Sequence, residues 1–158
     1  MATYPLDGIR VVELTWFIAG PLVGRWFADQ GADVIKIESR SRVDPARGVP
    51  PFPVEVPPQE RTVEMSGWFN SYNAGVRSVV LDLSTEAGID LLRGLIAASD
   101  VFIENFTPGT VERWGLDYAG VRALRSDIVM LRMPLVGSEG PRSGLAGGGN
   151  HLTALGGV

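Results

Sequence analysis

Two corners of this sequence carry residue types suited to binding anions. Ala19-Gly20-Pro21 follows an apolar run and precedes Leu22, Val23, Trp26 and Phe27, which recur at helical spacing and would face a sheet. Thr107-Pro108-Gly109 follows Glu104-Asn105-Phe106 with the same logic, a strand running into a capped helix start. The first amides of a helix have no partner within it, so they and the helix dipole favour negative charge. Two such corners on one sheet edge suit a ligand that carries phosphates.

Other candidates for chemistry are thinner. Gly147-Gly148-Gly149 has no strand running into it and reads as a flexible turn. His151, the single histidine, reads as a surface or partly buried residue rather than a catalytic base. With one histidine and no clustered carboxylate pair, no metal is expected. There is no G-x-x-x-x-G-K-[ST], and Ala19-Gly20-Pro21 stands where a G-x-G-x-x-G would be, which argues against a Walker-type NTPase and a conventional NAD-binding unit.

The elements that must hold these corners alternate in type. Ile9–Leu14 is the first expected strand; Pro21 sits at the first position of a helix that Gly31 closes in a left-handed conformation. Val34–Ile37, Val79–Leu83, Asp100–Ile103 and Ile128–Arg132 are further strands. Ser84 is placed as cap of a helix over 86–98, with Ile89, Leu92, Leu95 and Ile96 on its apolar face. Thr107 and Pro108 open another helix that Gly115 ends, and Asp117–Leu124 forms a short one. Near-continuous apolar strands imply burial on both faces. The pattern predicts an α/β, Rossmann-like fold with a mostly parallel sheet flanked by helices.

Between 39 and 65 the pattern dissolves, because Pro45, Pro50, Pro51, Pro53, Pro57 and Pro58 forbid a regular helix or central strand. This Pro-rich insertion reads either as a mobile surface excursion or as a lid or arm reaching a partner subunit. After Gly140-Pro141 the chain runs through the glycine cluster into a short helical pattern at 152–158 with no following element. The expectation is the front portion of a longer protein, or a split subunit completed by another chain.

Composition bounds the rest. At 158 residues, 45% hydrophobic and 20% charged, the chain reads as one globular domain. A net charge of −4 argues against sequence-independent nucleic-acid binding. The absence of cysteine excludes disulfides, thiolate metal sites and thiol nucleophiles, and fits a reducing compartment. No apolar run approaches the ~18 residues that span a bilayer, and the N-terminus lacks the features of a signal peptide. A soluble cytoplasmic protein without a membrane partner is expected.

These stretches together resemble the N-terminal part of the family III (CaiB/BaiF-type) acyl-CoA transferases, which also include α-methylacyl-CoA racemase. The matching residues are 5–11, Ala19-Gly20-Pro21, 31–38, Asp44 with Arg47, Asn73, 77–83, 100–106, Pro108-Gly109, Arg113, Gly115-Leu116 and Gly140-Pro141. They run in the family's order over almost the whole chain.

The resemblance implies that 1–158 is a CoA-binding α/β domain, with coenzyme A or an acyl-CoA as substrate at the carboxyl edge of the sheet. By carry-over, Ile18 and Ala19 line the site at the end of the first strand. Leu81, Asp82, Leu83 and Ser84 lie near the adenosine, while Asn105, Phe106 and Thr107 follow the pantetheine and diphosphate. Arg113 pairs with a phosphate. The implied reaction moves CoA from an acyl-CoA donor to a carboxylic acid through an aspartyl-acyl intermediate, the nucleophilic aspartate falling beyond Val158 and amides near Gly147–Gly149 facing the oxyanion. The implied assembly is an interlocked homodimer or a hetero-oligomer. The racemase's aspartate aligns near Gly149, which cannot remove an α-proton, so racemase chemistry is disfavoured. A non-catalytic CoA-binding subunit, a racemase-like isomerase and a generic mononucleotide-binding domain stay open as alternatives.

Overall fold

Apolar runs that would be wasteful on a one-faced sheet are buried on both sides in the three central strands. In the computed structural model, which describes residues 4–157, the strands are β1 (Arg10–Leu14), β2 (Asp33–Glu38), β3 (Arg77–Val80), β4 (Val101–Glu104) and β5 (Val129–Arg132). They form one sheet in the order β3-β2-β1-β4-β5, and every pairing is parallel. The helices are α1 (Ala19–Asp29), α2 (Gly67–Tyr72), α3 (Glu86–Ala97), α4 (Tyr118–Leu124) and α5 (Gly149–Gly156).

Strand alternation divides the core. Val11, Val34, Val101 and Ile103 pack with Val23 and Phe27 of α1. Val12, Leu14, Ile35, Ile37 and Phe102 pack with Leu92 and Ile96 of α3 and Val121 of α4. Each such side chain contributes about 1.5–3 kcal/mol when fully buried. The sheet grows from β1 through β2 to β3, then crosses to place β4 on the other side of β1. That reversal opens a crevice beyond the carboxyl ends of β1 and β4, the usual ligand position in such sheets.

Several expected details are corrected. α1 starts two residues before Pro21, since Ala19 and Gly20 already hold helical geometry. Of its apolar residues, Val23 and Phe27 face the sheet, whereas Leu22 (48% exposed) and Trp26 (58%) point outward. The cap of α3 is Thr85, whose hydroxyl accepts from Gly88 N at 3.1 Å, not Ser84. Ser84 instead donates through backbone and hydroxyl to Asp82 Oδ1, closing a local turn. Thr107-Pro108 opens no α-helix: Gly109 takes a positive φ of 88°, and only a 3-10 turn over Glu112–Trp114 follows before Gly115. The third strand is Arg77–Val80, with Leu81 just past its end, and all four strand residues are exposed.

The Pro-rich segment is neither a strand nor a helix, yet part of it is packed into the molecule. Short 3-10 turns occupy Pro45–Gly48 and Pro58–Glu60. Asp44, Ala46 and Arg47 are buried, and the Arg47 guanidinium lies 3.6 Å from the centre of the Phe69 ring. Ser66 Oγ, which also caps α2, sits 2.8 Å from Ala46 O and 2.6 Å from Val49 O. Proline removed the ladder hydrogen bonds without preventing side chains from docking.

Candidate functional site

The crevice between β1 and β4 opens into a groove of about 360 Å³ along the carboxyl edge of the sheet. Its floor is Leu14 and Ile37, the last inward residues of β1 and β2. Aromatic walls come from Trp16, Phe106 and Trp114; the first two meet edge to face, 5.3 Å between centroids. One end is polar, with Ser39, Ser41 and Arg42 after β2 and Asp82-Leu83-Ser84 after β3. Thr107, Thr110 and Arg113 line the other side. Arg42 and Arg113 are both exposed and make no ion pair among the described residues. A groove with apolar walls and two unneutralised guanidiniums can hold an aromatic or alkyl body with phosphates at its edge. Hydrogen bonds from the Ser84 hydroxyl and amide hold the Asp82 carboxyl below the usual aspartate range, so it stays ionised there.

The loop from β1 into α1 borders this groove and is held by polar side chains from three other parts of the chain, buried Lys36 and Asp44 and half-buried Asn105. Lys36 Nζ donates to Thr15 O at 2.6 Å. Asn105 clasps Trp16 at both backbone atoms: its Oδ1 accepts from Trp16 N and its Nδ2 donates to Trp16 O, each at 2.9 Å. Asp44 Oδ1 accepts from Phe17 N at 3.1 Å. Phe17 itself has φ of 64°, the left-handed region that a bulky side chain enters at a cost of about 1–3 kcal/mol. Such a conformation persists only where its surroundings fix it, and here they do. Ile18 gives no side-chain cap to α1, and no acidic residue sits in its first turn. No side chain therefore competes for the leading amides of α1, those of Ala19 and Gly20, Pro21 having none.

A second network braces the opposite wall. Glu104 is buried at the end of β4; its carboxylate accepts from Phe106 N at 2.9 Å and from Arg132 Nε at 2.7 Å. Arg132 also reaches Glu112 at 2.6 Å, and Glu112 accepts from Gly109 N at 2.7 Å. The turn carrying Phe106, Thr107, Thr110 and Arg113 is thus tied to β4 and β5 by charge-assisted hydrogen bonds.

On the other face of β2, a cavity of about 320 Å³ is lined by Lys36, Arg47, Phe69, Asn73 and Ser78 among others. Its cations are already neutralised. Lys36 Nζ lies 3.3 Å from Asp44 Oδ2 and 4.0 Å from Glu13 Oε1, and Arg47 binds Glu38 at 2.8 Å and Glu64 at 2.9 Å. An anion gains little there, so the groove is the better phosphate site. Glu13 is fully buried with no hydrogen-bond partner for either oxygen; burial, opposed by the Lys36 charge, raises its carboxyl from 4.5 to about 7.

The residues singled out from the sequence divide into groups. Asp82, Leu83, Ser84, Phe106, Thr107 and Arg113 come together around the groove. Ile18 and Ala19 lie at its β1 end, exposed but off its walls. Leu81 turns into the core with Val12 and Phe102, so its side chain is unavailable to a ligand. The Asn105 side chain is spent on Trp16. Thr107 marks no α-helix start, so of the two corners singled out it is the one at Ala19 that opens an α-helix. The Gly148 amide donates to His151 Nδ1 at 3.0 Å, and the glycine cluster lies outside the groove lining. Among the described residues no group of three or more His, Cys, Asp or Glu stands together as a metal site, and no helix is long and apolar enough to cross a membrane. Sequence reasoning missed Trp16, Ser41, Arg42 and Trp114, all on the groove. The Ser39–Arg42 run, polar directly after an apolar strand, was the available signal.

Comparison with known proteins adds an independent finding. The family model described as CoA-transferase family III matches residues 6–158. The succinyl-CoA–D-citramalate CoA-transferase of Chloroflexus aurantiacus is 36% identical over 154 residues, covering 98% of this chain and 36% of that protein. The succinate–glutarate CoA-transferase of Agrobacterium fabrum is 40% identical over 144 residues, covering 90% of this chain and 35% of that one. A crystal structure of a CaiB/BaiF family protein from Brucella suis superposes with a TM-score of 0.86 at 39% identity, over 99% of this chain and 40% of that chain. The chain therefore spans little more than a third of the length of the curated relatives it matches.

Proposed function

The chain belongs to CoA-transferase family III, and from that premise we propose that its groove binds the CoA portion of an acyl-CoA. The whole protein would move CoA from an acyl-CoA donor to a carboxylic acid. The observation that carries the reading is the pair of unneutralised guanidiniums, Arg42 and Arg113, on a groove with aromatic walls at the switch point of the sheet. Arg42 and Arg113 bind phosphate oxygens, where a planar guanidinium offers two parallel hydrogen bonds. Asp82, Leu83 and Ser84 contact the adenosine; Phe106 and Thr107 run beside the pantetheine. Ile18 and Ala19 present the leading amides of α1 to the acyl end. An aspartate carboxylate beyond Val158 attacks the thioester carbonyl, forming a mixed anhydride as CoA thiolate leaves. The thiolate then returns to the aspartyl carbonyl, releasing the donor acid and leaving an aspartyl-CoA thioester. The acceptor carboxylate attacks that thioester to form a second anhydride as CoA thiolate leaves. The thiolate attacks the acceptor's acyl carbonyl to give the new acyl-CoA and the free aspartate. Covalent relay of this kind divides one difficult exchange into easier acyl transfers.

Calorimetric titration of the full chain with CoA, NAD and ATP tests this. CoA is expected to bind more tightly than either nucleotide, and Arg42→Ala or Arg113→Ala should each weaken CoA by about tenfold. Equal affinity for ATP and CoA would leave only a mononucleotide site.

A further inference from the structure

We infer that Asp44, in the Pro-rich segment, is a positioning residue that sets the β1–α1 loop for ligand binding. The inference rests on the groove being the acyl-CoA site. Asp44 is buried although it lies outside every strand and α-helix. One of its oxygens accepts from both Phe17 N at 3.1 Å and Ala46 N at 3.0 Å. The other faces Lys36 Nζ at 3.3 Å, the same ammonium that donates to Thr15 O. A single carboxylate therefore joins three things: the start of the 3-10 turn at Pro45, the buried lysine of β2, and the amide of the left-handed Phe17. Ile18 and Ala19 follow directly, so the direction in which the chain enters α1 depends on Phe17 keeping its positive φ.

The neighbours leave Asp44 without a substitute. Asn105 is committed to Trp16. Glu13 stands 4.0 Å from Lys36 and makes no hydrogen bond. On the helix side Gly20 packs closely on Thr15, where an added Cβ would collide. Removing the Asp44 carboxylate leaves the amides of Phe17 and Ala46 without this acceptor and takes from Lys36 one of its two carboxylate neighbours. The Pro-rich segment thus reaches the ligand edge through one buried side chain behind the loop.

Asp44→Ala and Asp44→Asn in the full chain test this, with amide hydrogen exchange and CoA calorimetry on the same samples. In Asp44→Ala, exchange at Trp16–Ile18 should rise by about tenfold or more while Val11–Leu14 and Val101–Glu104 keep their protection, and CoA affinity should fall by about tenfold. Asp44→Asn keeps a neutral acceptor for Phe17 N, so both effects should shrink to about threefold. Where Asp44→Ala does not fold, Asp44→Asn decides alone. Faster loop exchange with unchanged affinity would overturn the positioning role, and so would weaker binding with an unchanged loop. Wild-type protein that fails to bind CoA would sink the functional reading instead, while the exchange arm would still decide whether Asp44 holds Phe17.

Discussion

Glu13 is the residue whose chemistry departs furthest from its sequence appearance. It occupies a β1 position between apolar neighbours, buried beneath α1 with its carboxyl raised from 4.5 to about 7 by burial, against the pull of Lys36. The sign of the consequence follows from proton counting. Between about 4.5 and about 7 the folded chain holds the Glu13 proton and the unfolded chain releases it. This contribution to stability is therefore complete below 4.5, falls as pH rises through that window, and levels off above about 7. Its full size is about 3 kcal/mol. Urea unfolding followed from pH 5 to 8 should show the decline in wild type, and Glu13→Gln should flatten it. An unchanged slope in Glu13→Gln would place the titration elsewhere. At the same scale, Asp44 and Arg47 show why burial was illegible: their partners are Phe17 N, Lys36, Glu38 and Phe69, and only the fold brings these together. A charge between prolines carries no local mark of being buried.

At the scale of elements, two helical glycines that look alike in sequence are expected to respond in opposite directions. A Cβ on Gly24 of α1 would strike the Glu13 carboxylate, whereas Gly94 of α3 has open space within 4 Å. Gly94→Ala should stabilise the chain by about 0.5–1 kcal/mol through helix propensity. Gly24→Ala should instead destabilise it by about 1–3 kcal/mol, because overpacking against a buried carboxylate outweighs the same propensity gain. Thermal unfolding of the two variants checks both signs, and a stabilised Gly24→Ala would mean that α1 sits further from β1 than described. β1, β2 and β4 were readable because burial on both faces forces continuous apolar residues. Helix starts were less so. Ser84 and Thr85 are both competent caps, and the choice fell to Thr85 because Asp82 captures Ser84 in a turn. Thr107-Pro108 carries the local signal of a helix start, but Gly109 in a left-handed conformation redirects the chain into a 3-10 turn.

At the scale of the molecule, the parallel order places the ends of β1, β2 and β4 and the turn after β3 around one groove, and this topology does what no single motif in the sequence could. Its two walls are held by separate sets of polar side chains, Asp44, Lys36 and Asn105 each bonded to the β1–α1 loop on one side and the Glu104–Arg132–Glu112 network on the other. The family and the sheet edge were legible from ordered short matches. The second guanidinium, Arg42, was not, because a charge in an irregular polar run looks the same whether it faces solvent or a ligand. The edge strands leave Val80 and Val129 at least half exposed, apolar surface on a chain that spans little more than a third of its curated relatives. The most direct measurement is a crystal structure of the full chain with coenzyme A. Density is expected along the groove, with phosphates against Arg42 and Arg113 and the adenine beside Asp82–Ser84. Coenzyme A seated instead in the cavity of Lys36, Arg47 and Asn73, or absent from an intact fold at saturating concentration, would contradict the assignment.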